Sequence, residues 1–307
     1  MAKAKGMTDC HPIGEQEVRD LQAAGHPFVI SYGVGVDSTA VLVGLQKIGL
    51  RPDAILFADV GAEKDSTYAF IPIMNEWLRS VGFPEISICT YPTAAETKRS
   101  RKIDPRTGQP YTDLEGQCYA QGNLPSMAYG TGKCSIKWKG DSQLRWLKSW
   151  PVSRKAWAEG RTVVKMIGYD CGVADMKRGT KCQSWEPELF HWTYPLRWWG
   201  WSREQCQAEI AAAGLPVPKK SSCIFCSAMK PAELVELAHD EPHNLQRALD
   251  VEAQAAVHPY SVKTGKLSPI ESGGLWTRIR PKGQPTSWRE FCENEGLIDL
   301  IAKSEAA

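Results

Sequence analysis

The sequence predicts an α/β fold: a parallel, doubly wound sheet followed by a mostly helical C-terminal appendage. Three observations predict it. Short β-prone runs alternate with helical stretches through the first half of the chain, a glycine-rich turn joins the first such run to the first such helix, and the alternation fades before the C-terminal third. Alternation of this kind implies parallel strands joined by right-handed crossovers.

Phe28-Val-Ile-Ser31 opens the series as a short apolar strand, and Ser38 to Ile48 follows the glycine turn as a helix with an apolar stripe. Asp53 to Ala58 reads as a second, buried strand, Asp65 to Val81 as a helix and Glu85 to Thr90 as a third strand. Residues 91–133 are rich in Pro, Gly, Thr and charge and have little periodicity, so they read as a long insertion over one end of the sheet. Ser135 to Trp150 is expected to be helical, Arg161 to Ile167 a further strand, and Gly168 to Lys181 a polar loop.

Trp192 to Trp201 is densely aromatic and leads into a helix from Ser202 to Ala213. The tryptophans read as core packing, with stacking on bases as the alternative. Ser222-Cys-Ile-Phe-Cys-Ser227 precedes a helix that Pro231 starts. The tail from Glu252 reads as short helices and Gly/Pro turns packed on the core. The expected division is 1–215, an α/β domain carrying the insertion at 91–133, and 216–307, a helical region bearing the Cys-x-x-Cys.

The 307 residues are 42% hydrophobic and 23% charged, an ordinary globular usage that excludes a disordered or fibrous chain. Lys and Arg number 37 against 35 acids, so no global charge demands a polyanion. Locally, Lys98, Arg99, Arg101, Lys102 and Arg106 face one acid, Asp104, which reads as a patch for RNA, DNA or a nucleotide phosphate, or as a solvated loop. The start MAKAKGMTDCHPIGEQ has no apolar signal region, and no stretch reaches the roughly 18 apolar residues of a membrane span. A cytoplasmic protein without a membrane partner is expected. Its ten cysteines would stay reduced, so clustered ones point to metal or redox chemistry.

Ser31-Tyr-Gly-Val-Gly-Val-Asp-Ser-Thr39 lies between a strand end and a helix start. Glycines let the backbone approach a ligand, successive amides form an anion nest, and Ser38 and Thr39 add hydroxyls where the helix dipole is positive. The run lacks both the Gly-Lys-Ser/Thr ending of a Walker loop and the spacing of a dinucleotide fingerprint. The alternative is a tight turn capped by Asp37 or Ser38.

Gly33-Val-Gly-Val-Asp-Ser38 resembles the PP-loop, S-G-G-x-D-S, of the adenine nucleotide alpha hydrolase superfamily, with Gly33 and Val34 replacing its first Ser and Gly. Phe57-Ala-Asp-Val-Gly-Ala-Glu63 resembles the F-A-D-T-G-x-E segment of that superfamily's phosphoadenosine phosphosulfate reductase branch. The likeness runs on through Gly132 to Lys139, Ile167 to Arg178, Tyr194 to Trp198 and Gly214 to Pro216, in the order the branch has them. It implies a Rossmann-like sheet that binds ATP or phosphoadenylyl sulfate with Mg2+. Ser31, Gly33, Gly35, Asp37, Ser38, Thr39 and Asp59 would hold nucleotide and magnesium, while Lys137 or Lys139 and Arg178 would contact phosphate or sulfate, Asp37, Lys139 and Arg178 being the catalytic set.

Cys223-Ile-Phe-Cys226 brings two thiolates within reach of one metal centre. Cys134 matches a position where relatives bearing an iron–sulfur cluster supply ligands, so the three resemble a [4Fe–4S] set. Ser135 replaces the second Cys of the pair found in adenylyl-sulfate reductases. The fourth ligand would be Cys182, Cys118, Cys171 or His191, or one iron is open to bind sulfur. Zinc held by three cysteines and a histidine is the alternative metal, and a buried pair without metal is the third reading.

The resemblance therefore implies an enzyme that adenylates and transfers sulfur to a nucleic acid (tRNA or DNA) or a small molecule, with a sulfur donor protein or a reductant as partner. Two rivals stand beside it. One is a phosphosulfate reductase releasing sulfite, although the E-C-G-L-H segment of that family has no counterpart and only Cys292 offers itself as nucleophile. The other is a non-catalytic nucleotide-binding module.

Overall fold

The computed structural model describes residues 12–97, 101–178, 187–257, 274–276 and 283–305. The chain forms two compact units: Met1–Ala58, Ser66–Cys89 and Gln143–Ser221 make unit one, and Asp59–Asp65, Thr90–Ser142 and Ser222–Ala307 make unit two.

Unit one is built on a five-stranded parallel sheet, β1 (Phe28–Ser31), β2 (Ala54–Asp59), β3 (Ile86–Thr90), β4 (Val163–Ile167) and β5 (Phe190–Thr193). Its order, β3-β2-β1-β4-β5, reverses direction between β1 and β4. β1 is central, with Val29 opposite Ala54 on one side and Lys165 on the other. Phe28, Val29 and Ile30 are fully buried, as a strand covered on both faces must be. β5 is a finding of the structure: Phe-His-Trp-Thr has the aromatic and β-branched composition of a strand, but in the sequence it merges into the aromatic run that follows.

The helix Val36–Lys47 begins two residues before the expected start, which places Asp37 and Ser38 inside its first turn. Nearly all of it is buried, against the sheet and against the helix Arg203–Ala212. Gly44 makes this possible, since a Cβ there would lie 2.2 Å from the Trp199 ring. Trp198, Trp199 and Trp201 pack on the same core, in keeping with the packing reading of the aromatic run.

Unit two gathers what the sequence assigned to separate parts of the chain: the 91–133 insertion and the C-terminal region share one core, including Leu114, Cys118, Trp138, Phe225, Leu249, Trp276 and Trp288. The insertion holds more order than its composition announces. A two-stranded hairpin pairs Ile103–Asp104 with Gln109–Pro110, and the helix Leu114–Gln121 follows, capped by the Asp113 carboxylate on the Gly116 amide at 2.6 Å. The expected helix from Ser135 opens instead as a π-helical turn, Ser135–Gly140, before the helix Asp141–Ser149.

Glu252 does not begin a run of short helices; it lies within a helix of 16 residues, Pro242–Val257. Its buried carboxylate accepts from the amides of Leu275, Trp288 and Arg289 and from the Ser287 hydroxyl, all within 3.0 Å. This negative charge sits at the start of the helix Trp288–Asn294, where the helix dipole favours it. No helix among the described residues is long and apolar enough to cross a membrane.

Candidate functional site

The reversal of strand order in unit one separates the connections that leave β1 and β4, and in open α/β sheets that is where ligands sit. A cavity of about 260 Å³ lies there, lined by Ser31, Gly33, Gly35, Asp37 and Ser38 from the first connection and by Ile167 and Gly168 from the second. Arg203, Lys220 and Ser221 complete its wall.

The helix Val36–Lys47 enters this cavity with Gly35 as N-cap and no side-chain cap from that residue. Its first amides therefore have no intrahelical partner and carry the positive end of the dipole. Ser38 Oγ accepts from the Gly33 amide and donates to the Gly35 carbonyl, both at 3.2 Å, which fixes the path of the turn. Val34 takes φ = 57° while only 1% exposed, a left-handed conformation costing a β-branched residue about 1–3 kcal/mol. Gly168 is required by close approach, since a Cβ there would stand 2.8 Å from the backbone at Asp37 and Ser38; one on Gly35 would stand 2.8 Å from Ser221 Oγ.

Asp37 accepts from Arg203 Nη1 at 2.6 Å. Burial raises its pKa above the ordinary carboxylate value, against the hydrogen bond and charge of Arg203, with Asp170 and Asp175 pushing it up further. The ligand oxygens of Asp37, Asp170 and Asp175 all lie within 4.8 Å of one another, an all-oxygen set of the kind a hard divalent cation takes. Arg178 is 61% exposed and pairs with Asp175 at 2.9 Å. Thr39 does not line the cavity; it is buried, and its hydroxyl meets the Tyr32 hydroxyl at 3.1 Å.

Asp59, Lys139, Cys118, Cys134, Cys223 and Cys226 belong to unit two. Asp59 Oδ1 accepts from the Gly61 amide at 2.7 Å, an Asx turn at the end of its strand. Lys139, with its side chain 41% exposed, pairs at 2.8 Å with Glu63, which is 1% exposed. Crowding by protein opposes the ammonium charge, but Glu63, reinforced by Cys223 and Cys226, outweighs it and holds the Lys139 pKa above its usual value. Glu63 in turn bridges Cys223 in an antiparallel backbone pair.

Cys223 and Cys226 form one turn, the Cys226 amide meeting the Cys223 carbonyl at 3.0 Å. Their thiols share a hydrogen bond that raises Cys223 and lowers Cys226; the Ala228 amide and Lys139 add to the lowering. Cys134 packs on the same core as Cys223, its amide donating to Ser126 Oγ at 2.6 Å. Among the described residues, no three cysteine sulfurs lie within 4.8 Å of one another. Cys118 is buried in that core, and after burial the nearness of Cys134 is what raises its thiol most. Cys171 and His191 belong to unit one, and Cys182 lies outside the described residues.

Arg203, Lys220, Asp170, Asp175 and Glu63 carried no role in the sequence reading. Arg203 opens a helix far along the chain from Asp37 and belongs to no local motif; only the fold joins them.

Fold and site together define a doubly wound α/β unit whose switch-point cleft is lined by an uncapped helix N-terminus, Asp37, Arg203 and Lys220, with Asp170 and Asp175 close to Asp37. No family model matches the chain, and no curated protein matches it.

Proposed function

We propose that the cleft of unit one binds the polyphosphate of an adenine nucleotide, and that the chain is a PP-loop-type enzyme that adenylates an acceptor and transfers sulfur to it. The observation that carries this reading is the uncapped start of the helix Val36–Lys47 opening into the switch-point cavity. Preorganised amides in such a place stabilise the negative charge of phosphate and of a departing pyrophosphate without further reorganisation. The left-handed Val34 and the close approach of Gly168 to Asp37 and Ser38 hold the path of this loop at the cavity, which supports the same reading.

Within the cleft, the amides from Gly35 to Ser38 receive phosphate oxygens, and Arg203 and Lys220 supply the positive charge that a Walker lysine gives elsewhere. Asp37, Asp170 and Asp175 would hold Mg2+, which when bound neutralises charge across the phosphates. Arg203 holds Asp37 in place until the cation is bound.

Cys134, Cys223 and Cys226 are assigned to an iron–sulfur centre, and Cys118, close enough to Cys134 to feel its charge, is a further thiol in the same core. Their soft thiolate donors suit iron, and the Lys139 ammonium beside them offsets negative charge. Such a centre would supply or relay sulfur. The sulfite-releasing alternative is less well supported. Cys292 is 0% exposed and burial pushes its thiol up to about 12, the reverse of what an attacking sulfur needs.

Pyrophosphate release from ATP tests the proposal. The wild-type protein, given Mg2+ and a thiolatable acceptor pool, is expected to release AMP and pyrophosphate. Asp37→Asn is expected to slow this at least tenfold, a loss of about 1.4 kcal/mol or more in transition-state stabilisation. Release of ADP and phosphate instead would overturn cleavage at the α–β junction.

A further inference from the structure

The described cations in and just after the insertion fall into those paired with carboxylates and those that are not. Arg106 is paired: its guanidinium meets Asp104 at 2.8 Å, Glu115 at 2.9 Å and Asp113 at 3.9 Å. Arg101 and Lys137 differ. Both lie over the same two rings, each 4.9 Å from the Tyr91 centroid and 5.3 Å from that of Tyr111.

Their hydrogen bonds go to neutral acceptors only. Arg101 donates to the carbonyls of Pro92 and Tyr111, the latter at 3.0 Å. Lys137 donates to Gln117 Oε1 at 2.5 Å and to the Tyr111 hydroxyl at 3.4 Å. Neither forms an ion pair among the described residues, and Asp141 is the carboxylate whose field Lys137 feels. Burial and then Arg101 push the Lys137 pKa down, which records two like charges crowded on one aromatic floor.

Lys137 stands on the π-helical turn Ser135–Gly140, a rare form that recurs at functional sites. Tyr91 and both cations are half-buried and open to solvent in part, and Lys102, next to Arg101, is exposed. A cation pair beside a partly exposed aromatic ring is the pairing of features by which single strands are held.

We infer that Arg101 and Lys137, on the Tyr91–Tyr111 floor of unit two, form a subsite for the phosphodiester of a single-stranded nucleic acid. Guanidinium and ammonium together match the phosphate oxygens, and the ligand supplies the direct ion pair that neither cation makes among the described residues. The subsite stands whether or not unit one takes ATP, so its test omits nucleotide.

Fluorescence anisotropy with a labelled single-stranded oligonucleotide, repeated over a salt series, reads it out. The wild type is expected to bind with an affinity that falls with salt, and Lys137→Gln to lower the slope of log K against log salt by about 0.7, the share of one phosphate contact. Lys137→Arg is expected to keep the wild-type slope. Arg101→Gln also removes two carbonyl contacts, so Lys137→Gln, which leaves those in place, is the deciding variant. A folded Lys137→Gln protein with unchanged affinity and slope overturns the inference, as does binding of AMP or inorganic phosphate at this site with no binding of the strand.

Discussion

Val34 and Gly168 hold one backbone path by opposite means, the first by accepting a left-handed conformation and the second by having no Cβ to place against Asp37 and Ser38. The glycines and hydroxyls of this loop were legible because their chemistry is local to nine residues of sequence. Arg203 was not, because the contact it makes with Asp37 spans 166 positions. The cysteines divide likewise: spacing alone identified Cys223 and Cys226, whereas the nearness of Cys118 and Cys134 depends on a shared core. At this scale the metal assignment is open to direct measurement. Protein purified without oxygen is expected to contain iron and acid-labile sulfide, and Cys223→Ala or Cys226→Ala to lose most of both. One zinc per chain in the wild type, without iron, would end the cluster assignment.

Among the elements, the strands of the sheet read most clearly, because continuous apolar runs in a parallel sheet need no partner to be recognised. β5 and the π-helical turn read least clearly: an edge strand of four residues and a change of helical pitch leave little periodic signal. β4 carries an anomaly of its own. Lys165 is buried opposite Val29, with its ammonium 5.3 Å from the Trp192 ring, and burial lowers its pKa from 10.5 to about 8, with Cys89 opposing. Between those two values the unfolded chain binds a proton that the native chain does not, so this lysine makes stability rise as pH climbs from about 8 to 10.5. Below that window the native state bears the full penalty, up to roughly 3 kcal/mol at about 1.4 kcal/mol per pKa unit. Lys165→Met is accordingly expected to raise Tm at pH 7 and to lose that advantage towards pH 10, which paired thermal melts would check. A gain that does not vary with pH would assign it to packing instead.

At the scale of the whole molecule, the α/β class was legible and the partition was not. The chain passes into unit two for a few residues at Asp59–Asp65 and returns, an excursion held by non-local links such as Glu63 to Cys223, Glu63 to Lys139 and the Asp65 amide to Glu241. Composition shifts mark linkers but not such excursions, and so the insertion and the C-terminal region looked like separate additions. What the sequence did place is the glycine-rich loop between the first strand and the first helix, and the functional account rests there. Equilibrium titration with MgATP, beside adenosine and a Gly168→Ala variant, tests it most directly. ATP is expected to bind, adenosine to bind at least tenfold more weakly because the amides recognise phosphate, and Gly168→Ala to lose at least tenfold in ATP affinity while remaining folded. Equal binding of ATP and adenosine, or an unimpaired Gly168→Ala protein, would contradict it.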